Sequence, residues 1–421
     1  MYKKYYFLVR RSPDIDHSAP IIHALLKKGI PCSNITLTDL SLNHSNLNFD
    51  ENKLFQYIKK KKINTNFLIT NIYISFLKKI YFNEEHINFE EFGSIKKSIF
   101  KRVMRISLLK VIELLFIFKA IFYSIKRNKI FIIFKDKNFP FKIIYYLSKK
   151  NHILNLPHGF PPWDGAKDEI YGETVHQINL NHPLINSTFF SGQNNFEWFY
   201  FFNIKISKLS NKIQNKKKIF PLRYTHEWTN LLKKEIFKKN GNFIRKSEIV
   251  VTYFAQKDPS SKDEFSNFIL EKAMLLHILK NYKEIQLNIR LHPSQLITKK
   301  NSFIKEISNH KNCRIYAGEK TSSFELINNS DIIMGTYTTA LLDAVSLNKE
   351  IIILKHLTKI NCSLEINKTQ NHENFKEIFD TIFKSLNENK KINHAQVYNR
   401  LIIPEDYKGQ DIFNFYLTKI F

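Results

Sequence analysis

The chain of 421 residues has little cysteine, little glycine and few acidic side chains, and each shortage closes off a class of protein. Cys32, Cys313 and Cys362 are too few for a disulfide framework and too far apart for metal-ligand spacing, so a reducing compartment is expected. No G-x-G-x-x-G follows a strand-like run, which disfavours a redox dinucleotide domain. Neither a G-x-S-x-G nor a P-loop occurs, so hydrolase and NTPase readings fall away. The one D-x-D, Asp14-Ile15-Asp16, sits in the first loop rather than between strands, so the sequence requires no metal, and no cofactor is expected. The start, Met1-Tyr2-Lys3-Lys4, runs directly into the strand-like Tyr5 to Val9, too short for a signal peptide, and the expectation is a cytoplasmic protein. Long apolar runs are missing too. Ile99 to Tyr123 is interrupted by Lys101, Arg102, Arg105, Lys110, Glu113 and Lys119, which excludes a transmembrane helix and leaves a buried domain helix or an interfacial one.

Core material is present in quantity: 43% of residues are hydrophobic and 14% aromatic, which excludes a disordered chain. The length exceeds what one core supports, so two domains of roughly 200 residues each are expected. Lys plus Arg number 65 against 38 Asp plus Glu, a net charge of +27 that would attract phosphates or an anionic membrane leaflet. AT-rich coding alone also produces such a Lys- and Asn-rich composition. No zinc-finger spacing, RNP-like aromatic motif or compact basic helix accompanies the charge, so no nucleic-acid partner is expected.

Short β-rich runs alternate with helical ones, the pattern of a parallel sheet with crossover helices. In the first half the strand-like runs are Tyr5 to Val9, Phe67 to Thr70, Ile130 to Phe134, Ile153 to Leu156 and Thr188 to Ser191. In the second half strands are expected at Ile249 to Phe254, Leu287 to Leu291, Arg314 to Ala317, Asp331 to Met334 and Ile351 to Leu354, with helices between them. The stretch from Asn203 to Arg245 is Lys- and Asn-rich without a strand run. The expected organisation is an N-terminal Rossmann-like domain over 1–205, a connecting segment over 206–245 and a C-terminal Rossmann-like domain over 246–421.

Ligands of open α/β sheets sit beyond the carboxyl ends of the strands, and the informative residues follow strands here. Arg290-Leu291-His292-Pro293 ends one strand, and Gly335-Thr336-Tyr337-Thr338-Thr339-Ala340-Leu341-Leu342-Asp343 ends another and opens a helix. Thr338 and Thr339 fall where a helix N-cap would lie, and amides with hydroxyls there make an anion site suited to a phosphate or diphosphate. Asp343, a turn further in, could accept from ribose hydroxyls, while Arg290 or His292 offsets phosphate charge. Lys257, with Ser260 and Ser261 in the loop after the first strand of this half, suits a further phosphate contact. The bland alternatives are a simple helix cap, a solvated aspartate and a strand-ending histidine.

Two further motifs lie in the first half. His158 in Leu156-Pro157-His158-Gly159-Phe160-Pro161-Pro162 follows a strand, and an imidazole there can take the proton of an acceptor hydroxyl. Asp16 and His17 lie in the loop expected from Arg10 to Pro20, where either could orient an acceptor or serve as the base, or Asp14 or Asp16 could merely cap a helix starting near Pro20.

The R-x-H-P element with Ser330-Asp331-Ile332-Ile333-Met334-Gly335-Thr336-Tyr337-Thr338-Thr339 resembles the C-terminal domain of CDP-glycerol glycerophosphotransferases. The His-Pro pair is also similar to the motif of bacterial sialyltransferases and Kdo transferases, and His158-Gly159 looks like the histidine-glycine turn of the first family, whose histidine is the base. Thr336-Tyr337-Thr338-Thr339 departs from that family's D-Y-S-S by losing the acid. The resemblance implies a GT-B-like fold, two Rossmann-like α/β domains facing a central cleft. It implies transfer of a sugar or polyol phosphate from a cytidine-nucleotide donor to a glycan or lipid-linked glycan acceptor, in capsule, lipopolysaccharide or teichoic-acid-like synthesis, by metal-independent general-base catalysis. On this expectation His158, or Asp16 with His17, is catalytic, and Lys257, Arg290, His292, Thr338, Thr339 and Asp343 bind the donor. The alternatives are a UDP-GlcNAc 2-epimerase-like enzyme, which shares the architecture, and a non-catalytic partner of a capsule assembly complex. Peripheral contact with the anionic inner membrane goes with the transferase, whose lipid-linked acceptor would lie at that surface, and with the non-catalytic partner.

Overall fold

The computed structural model describes residues 3–9, 12–40, 52–80, 99–134, 139–148, 150–156, 196–201, 216–237, 249–255, 262–291, 306–316, 322–336, 338–358, 364, 366–388 and 411–420. They divide into two compact units, one formed by the described residues before Arg223 together with 411–420, the other running from Arg223 to 388.

The first unit contains β1 (Lys4–Val9), α1 (Ser12–Lys27), β2 (Ile35–Asp39), α2 (Lys53–Lys60), β3 (Asn64–Asn66), α3 (Leu68–Ile80) and α4 (Ile99–Ile125). It continues with β4 (Lys129–Phe134), α5 (Phe139–Leu147), β5 (His152–Leu156), β6 (Phe196–Phe201) and β7 (Lys216–Ile219). The seven strands pair in parallel in the order β3-β2-β1-β4-β5-β6-β7. A parallel sheet is covered on both faces, and the central strand β4, Lys-Ile-Phe-Ile-Ile-Phe, buries every position accordingly. Helix α1 ends at Gly29, whose φ of +84° lets Ile30 N–H reach back to the Leu25 carbonyl at 3.1 Å.

Three expectations change here. Residues 67–70 are not a strand: the strand is the polar Asn64–Asn66 at the sheet edge, and α3 opens at Leu68, where Leu68, Ile72 and Phe76 recur at helical spacing. The loop expected up to Pro20 is already helix from Ser12, with Pro20 inside it. Within that helix the Ser18 hydroxyl turns back to donate to the Asp14 carbonyl at 2.7 Å. The stretch from 203 to 245 holds β7, an edge strand whose lysines suit an edge, and a helix of the second unit. Residues 188–191 lie outside the described residues.

Lys129 opens β4 with its ammonium buried among aromatic rings, 4.5 Å from the Tyr6 centroid and 5.0 Å from that of Tyr123, donating to the Tyr123 carbonyl at 2.9 Å. Burial, reinforced by repulsion from Lys126 and Lys4, lowers its pKa to about 8. The folded form therefore holds fewer protons than the unfolded chain between that value and the ordinary 10.5. The unfolding free energy should rise as pH goes from about 8 towards 10, and urea titrations across that window should show the slope flattened in Lys129→Met.

The second unit contains α6 (His226–Glu235), β8 (Ile249–Phe254), α7 (Lys262–Asn281), β9 (Ile285–Arg290), β10 (Cys313–Tyr316) and α8 (Ser323–Asn328). β11 (Ile332–Gly335), α9 (Ala340–Ser346), β12 (Glu350–Ile353) and α10 (His372–Asn387) complete it. Its five parallel strands run β10-β9-β8-β11-β12. Side chains at their caps set the helix starts: Ser322 Oγ accepts from Glu325 N–H at 3.0 Å and Asn371 Oδ1 from Asn374 N–H at 2.8 Å. Val251, Leu287 and Met334 from the strands bury with Leu275 of α7 and Phe379 of α10 in one core.

The last helix, α11 (Ile412–Ile420), lies within the stretch expected to belong to the C-terminal domain, yet it packs in the first unit. Its Phe413 meets His23 of α1 at 5.2 Å between ring centroids, and Phe415 stacks on Phe220 at 5.9 Å. Amphipathic pattern alone does not say which core a terminal helix joins.

Candidate functional site

In the second sheet the strand order reverses at β8, with β9 and β10 on one side and β11 and β12 on the other. The crevice at such a reversal, beyond the carboxyl ends, is where open α/β sheets take their ligands. Gly335 ends β11 at this place. A Cβ there would stand 2.9 Å from Thr338 Cγ2 and 3.8 Å from Phe254 Cβ, so glycine lets the chain turn tightly across the end of β8. Thr336 is buried, and Thr338 and Thr339 are half-buried. The cap is made by the earlier threonine: Thr338 Oγ1 accepts from Ala340 N–H at 3.3 Å, while Thr339 stands at the N-cap position without a capping hydrogen bond.

Arg290 ends β9. It pairs in register with Phe254 of β8, and Met334 pairs with Tyr253, so Arg290, Phe254 and Gly335 form one row across the sheet. Two strand spacings put the backbones of Arg290 and Gly335 roughly 10 Å apart. Its side chain is 7% exposed, a guanidinium held at the carboxyl edge rather than a solvated one. Thus Arg290 and the Thr338–Thr339 turn share an edge, while Lys257, His292 and His158 lie outside the described residues.

Asp343 is fully buried. The carboxylate expected to receive ribose hydroxyls is held instead by Arg223, Nη2 to Oδ2 2.9 Å, from the 3-10 turn Leu222–Tyr224 ahead of α6. Next to this pair His226 Nδ1 lies 2.9 Å from the Ser346 carbonyl at the end of α9. Burial lowers the His226 pKa, and the Ser346 carbonyl works against that shift. Arg223 and His226 therefore fasten α9, and with it the turn from Gly335 to Thr339, to the start of α6. Neither stood out in the sequence, because 120 positions separate each from its partner.

In the first unit the strand order reverses between β1 and β4. Asp16 is half-buried and His17 largely buried in α1, and the His17 ring lies 6.2 Å from that of Phe134, the last residue of β4. A second polar cluster, at the ends of β2 and β3, was not expected. Asp39 Oδ1 meets Lys119 Nζ of α4 at 2.6 Å, and Thr70 donates to its other oxygen. Lys119 also donates to the Asn66 carbonyl at 3.0 Å. Burial lowers the Lys119 pKa against the opposing pull of Asp39. Every group is engaged inside the cluster, so it fastens α4 to the sheet. Among the described residues no group of three or more His, Cys, Asp or Glu could hold a metal ion, and no helix is long and apolar enough to cross a membrane.

Two parallel α/β units in one chain define a GT-B-like architecture, and solved structures share it over nearly the full length. MnaA of S. aureus, solved with UDP, is 11% identical, with a TM-score of 0.50 over 100% of this chain and 98% of its own. The UDP-GlcNAc 2-epimerase of Methanocaldococcus jannaschii is 14% identical, with a TM-score of 0.51 over 93% of this chain and 94% of its own. Another UDP-N-acetylglucosamine 2-epimerase is 11% identical, with a TM-score of 0.52 over 95% and 94%. At these identities the likeness shows the fold. No family model matches the sequence, and no curated protein matches it.

Proposed function

We propose that the chain is an enzyme acting on a UDP-linked amino sugar, in the manner of a UDP-GlcNAc 2-epimerase, and that its second unit binds the nucleotide. The observation carrying this reading is the shared row of Arg290 and Gly335 at the strand reversal, in a fold that similar UDP-sugar enzymes share from end to end. A diphosphate needs a cation with directed donors and a set of backbone amides, and that edge supplies Arg290 and the Thr338–Thr339 turn. Lys257 and His292, which follow β8 and β9 in the sequence, are proposed as further contacts to the phosphates. Asp343 then acts by holding α9 in place. His158, or Asp16 with His17, is proposed as the group that moves the proton at the sugar. The similar structures favour uridine over the cytidine nucleotide that the sequence motifs imply.

The transferase reading stays as the second, favoured by the His158-Gly159 and His292-Pro293 motifs, with a surface glycan as acceptor. Thermal unfolding with UDP, UDP-GlcNAc, CDP and CMP tests the nucleotide. UDP at about a hundred times its Kd should stabilise the fold by ~2.7 kcal/mol, and Arg290→Lys should shrink the shift. NMR of UDP-GlcNAc incubated with enzyme alone then separates the two chemistries. A second N-acetylhexosamine signal without acceptor supports epimerisation, turnover only with a glycan hydroxyl supports transfer, and no response to any uridine nucleotide defeats the proposal.

A further inference from the structure

Helix α4 is apolar on two opposite sides. Ile112, Phe116 and Ala120 face the core and are essentially buried. Val111, Leu114, Phe118, Phe122 and Ile125, at spacings of three and four residues, are 54%, 51%, 62%, 55% and 70% exposed. Leu68 and Ile72 of α3, a helix that packs against α4, are also exposed, at 65% and 47%. At about 200 Å² for each fully exposed large side chain, these seven leave on the order of 800 Å² of apolar surface open, against ~300–600 Å² for the largest patch of an ordinary monomer.

The α4 sequence is rich in cations, with Lys101, Arg102, Arg105, Lys110 and Lys119 against Glu113 as its one acidic residue. Past its end Lys126 and Arg127 are exposed, and Lys126 Nζ sits 4.4 Å from the Phe122 ring centroid. A second copy of the chain docked by a two-fold axis would bring like charges together with almost no acid to answer them. An anionic lipid surface answers them directly: apolar side chains sink below the headgroups while lysine and arginine stay at the phosphates.

We propose that the outward face of α3 and α4 docks on an anionic lipid bilayer, with α4 lying in the plane of the interface. The inference is independent of the nucleotide chemistry. It is tested by sedimenting the full chain with vesicles of phosphatidylcholine alone and of phosphatidylcholine with phosphatidylglycerol, in about 0.1 M salt. Binding is expected to the anionic vesicles and to fall at least about tenfold in Phe118→Ser/Phe122→Ser, with an unchanged melting temperature because both rings are exposed. Lys126→Glu/Arg127→Glu should weaken binding to the anionic vesicles as well, and gives a second reading should the first variant fold poorly. Equal binding by the wild type and both variants would assign the effect to diffuse charge and overturn the proposal. Failure to bind vesicles, with a dimer that Phe118→Ser/Phe122→Ser splits in analytical ultracentrifugation, would overturn it in favour of a second copy.

Discussion

Replacing Arg223 by alanine should cost the second unit about 3–5 kcal/mol, the range for breaking a buried ion pair from one side. The Arg223 and Asp343 side chains are 13% and 1% exposed and meet at 2.9 Å, so the variant leaves a carboxylate stranded in the interior. Against a total stability of about 5–15 kcal/mol for a domain, this is a large fraction, and the urea midpoint should fall accordingly. Arg223→Met with Asp343→Leu removes both charges and should recover most of the loss, because the penalty lies in the orphaned charge rather than in the missing attraction. The functional consequence follows from where Asp343 sits. It lies on α9 just beyond the Gly335–Thr339 turn, so Arg223→Ala should also blunt the thermal shift given by UDP, although Arg223 is a positioning residue rather than a proposed nucleotide contact. A loss of under about 1 kcal/mol would show that α9 is held by its packing alone.

What could be read from the sequence follows from which signals are local. β4, β8 and β11 were legible because strands buried on both faces are largely apolar runs bounded by turns. The two edge strands of the first sheet were not. Asn64–Asn66 and Lys216–Ile219 carry almost no apolar residues, since an edge strand needs little burial, and the apolar run after the first of them belongs to α3. For α4, the choice between buried and interfacial helix was undecidable from pattern because the helix is apolar on two sides, one buried in the core and one exposed. In the site, Arg290 and the Gly335 turn could be read because each ends its own strand, and their common row needed only the sheet order. The Arg223–Asp343 and Asp39–Lys119 pairs span 120 and 80 positions, and no spacing rule connects residues that far apart.

The Asp39–Lys119 pair does for the first unit what Arg223–Asp343 does for the second, and its pH behaviour separates it from an ordinary packing contact. Asp39→Ala leaves an ammonium that is 9% exposed among Thr70, Asn66 and Tyr123, and should cost about 3–5 kcal/mol at neutral pH. In the wild type, burial already lowers the Lys119 pKa while Asp39 pulls it back up. Without Asp39 only the lowering remains, so the folded value drops further below the ordinary 10.5. Between those two values the unfolded chain holds the extra proton, and the unfolding free energy rises with pH. The deficit of Asp39→Ala should therefore shrink as pH is raised from 7 towards 10, as Lys119 sheds its proton and sits neutral in the core. Asp39→Ala combined with Lys119→Met should show a smaller deficit and no such recovery. Urea titrations at several pH values would read both, and a deficit constant across the range would mean that water reaches Lys119 freely. Because Lys119 lies on the same helix as Phe118 and Phe122, release of this anchor should also loosen the apolar face proposed to dock on the bilayer. Asp39→Ala should then bind anionic vesicles less sharply than the wild type at pH 7, and recover towards it as the amine becomes neutral.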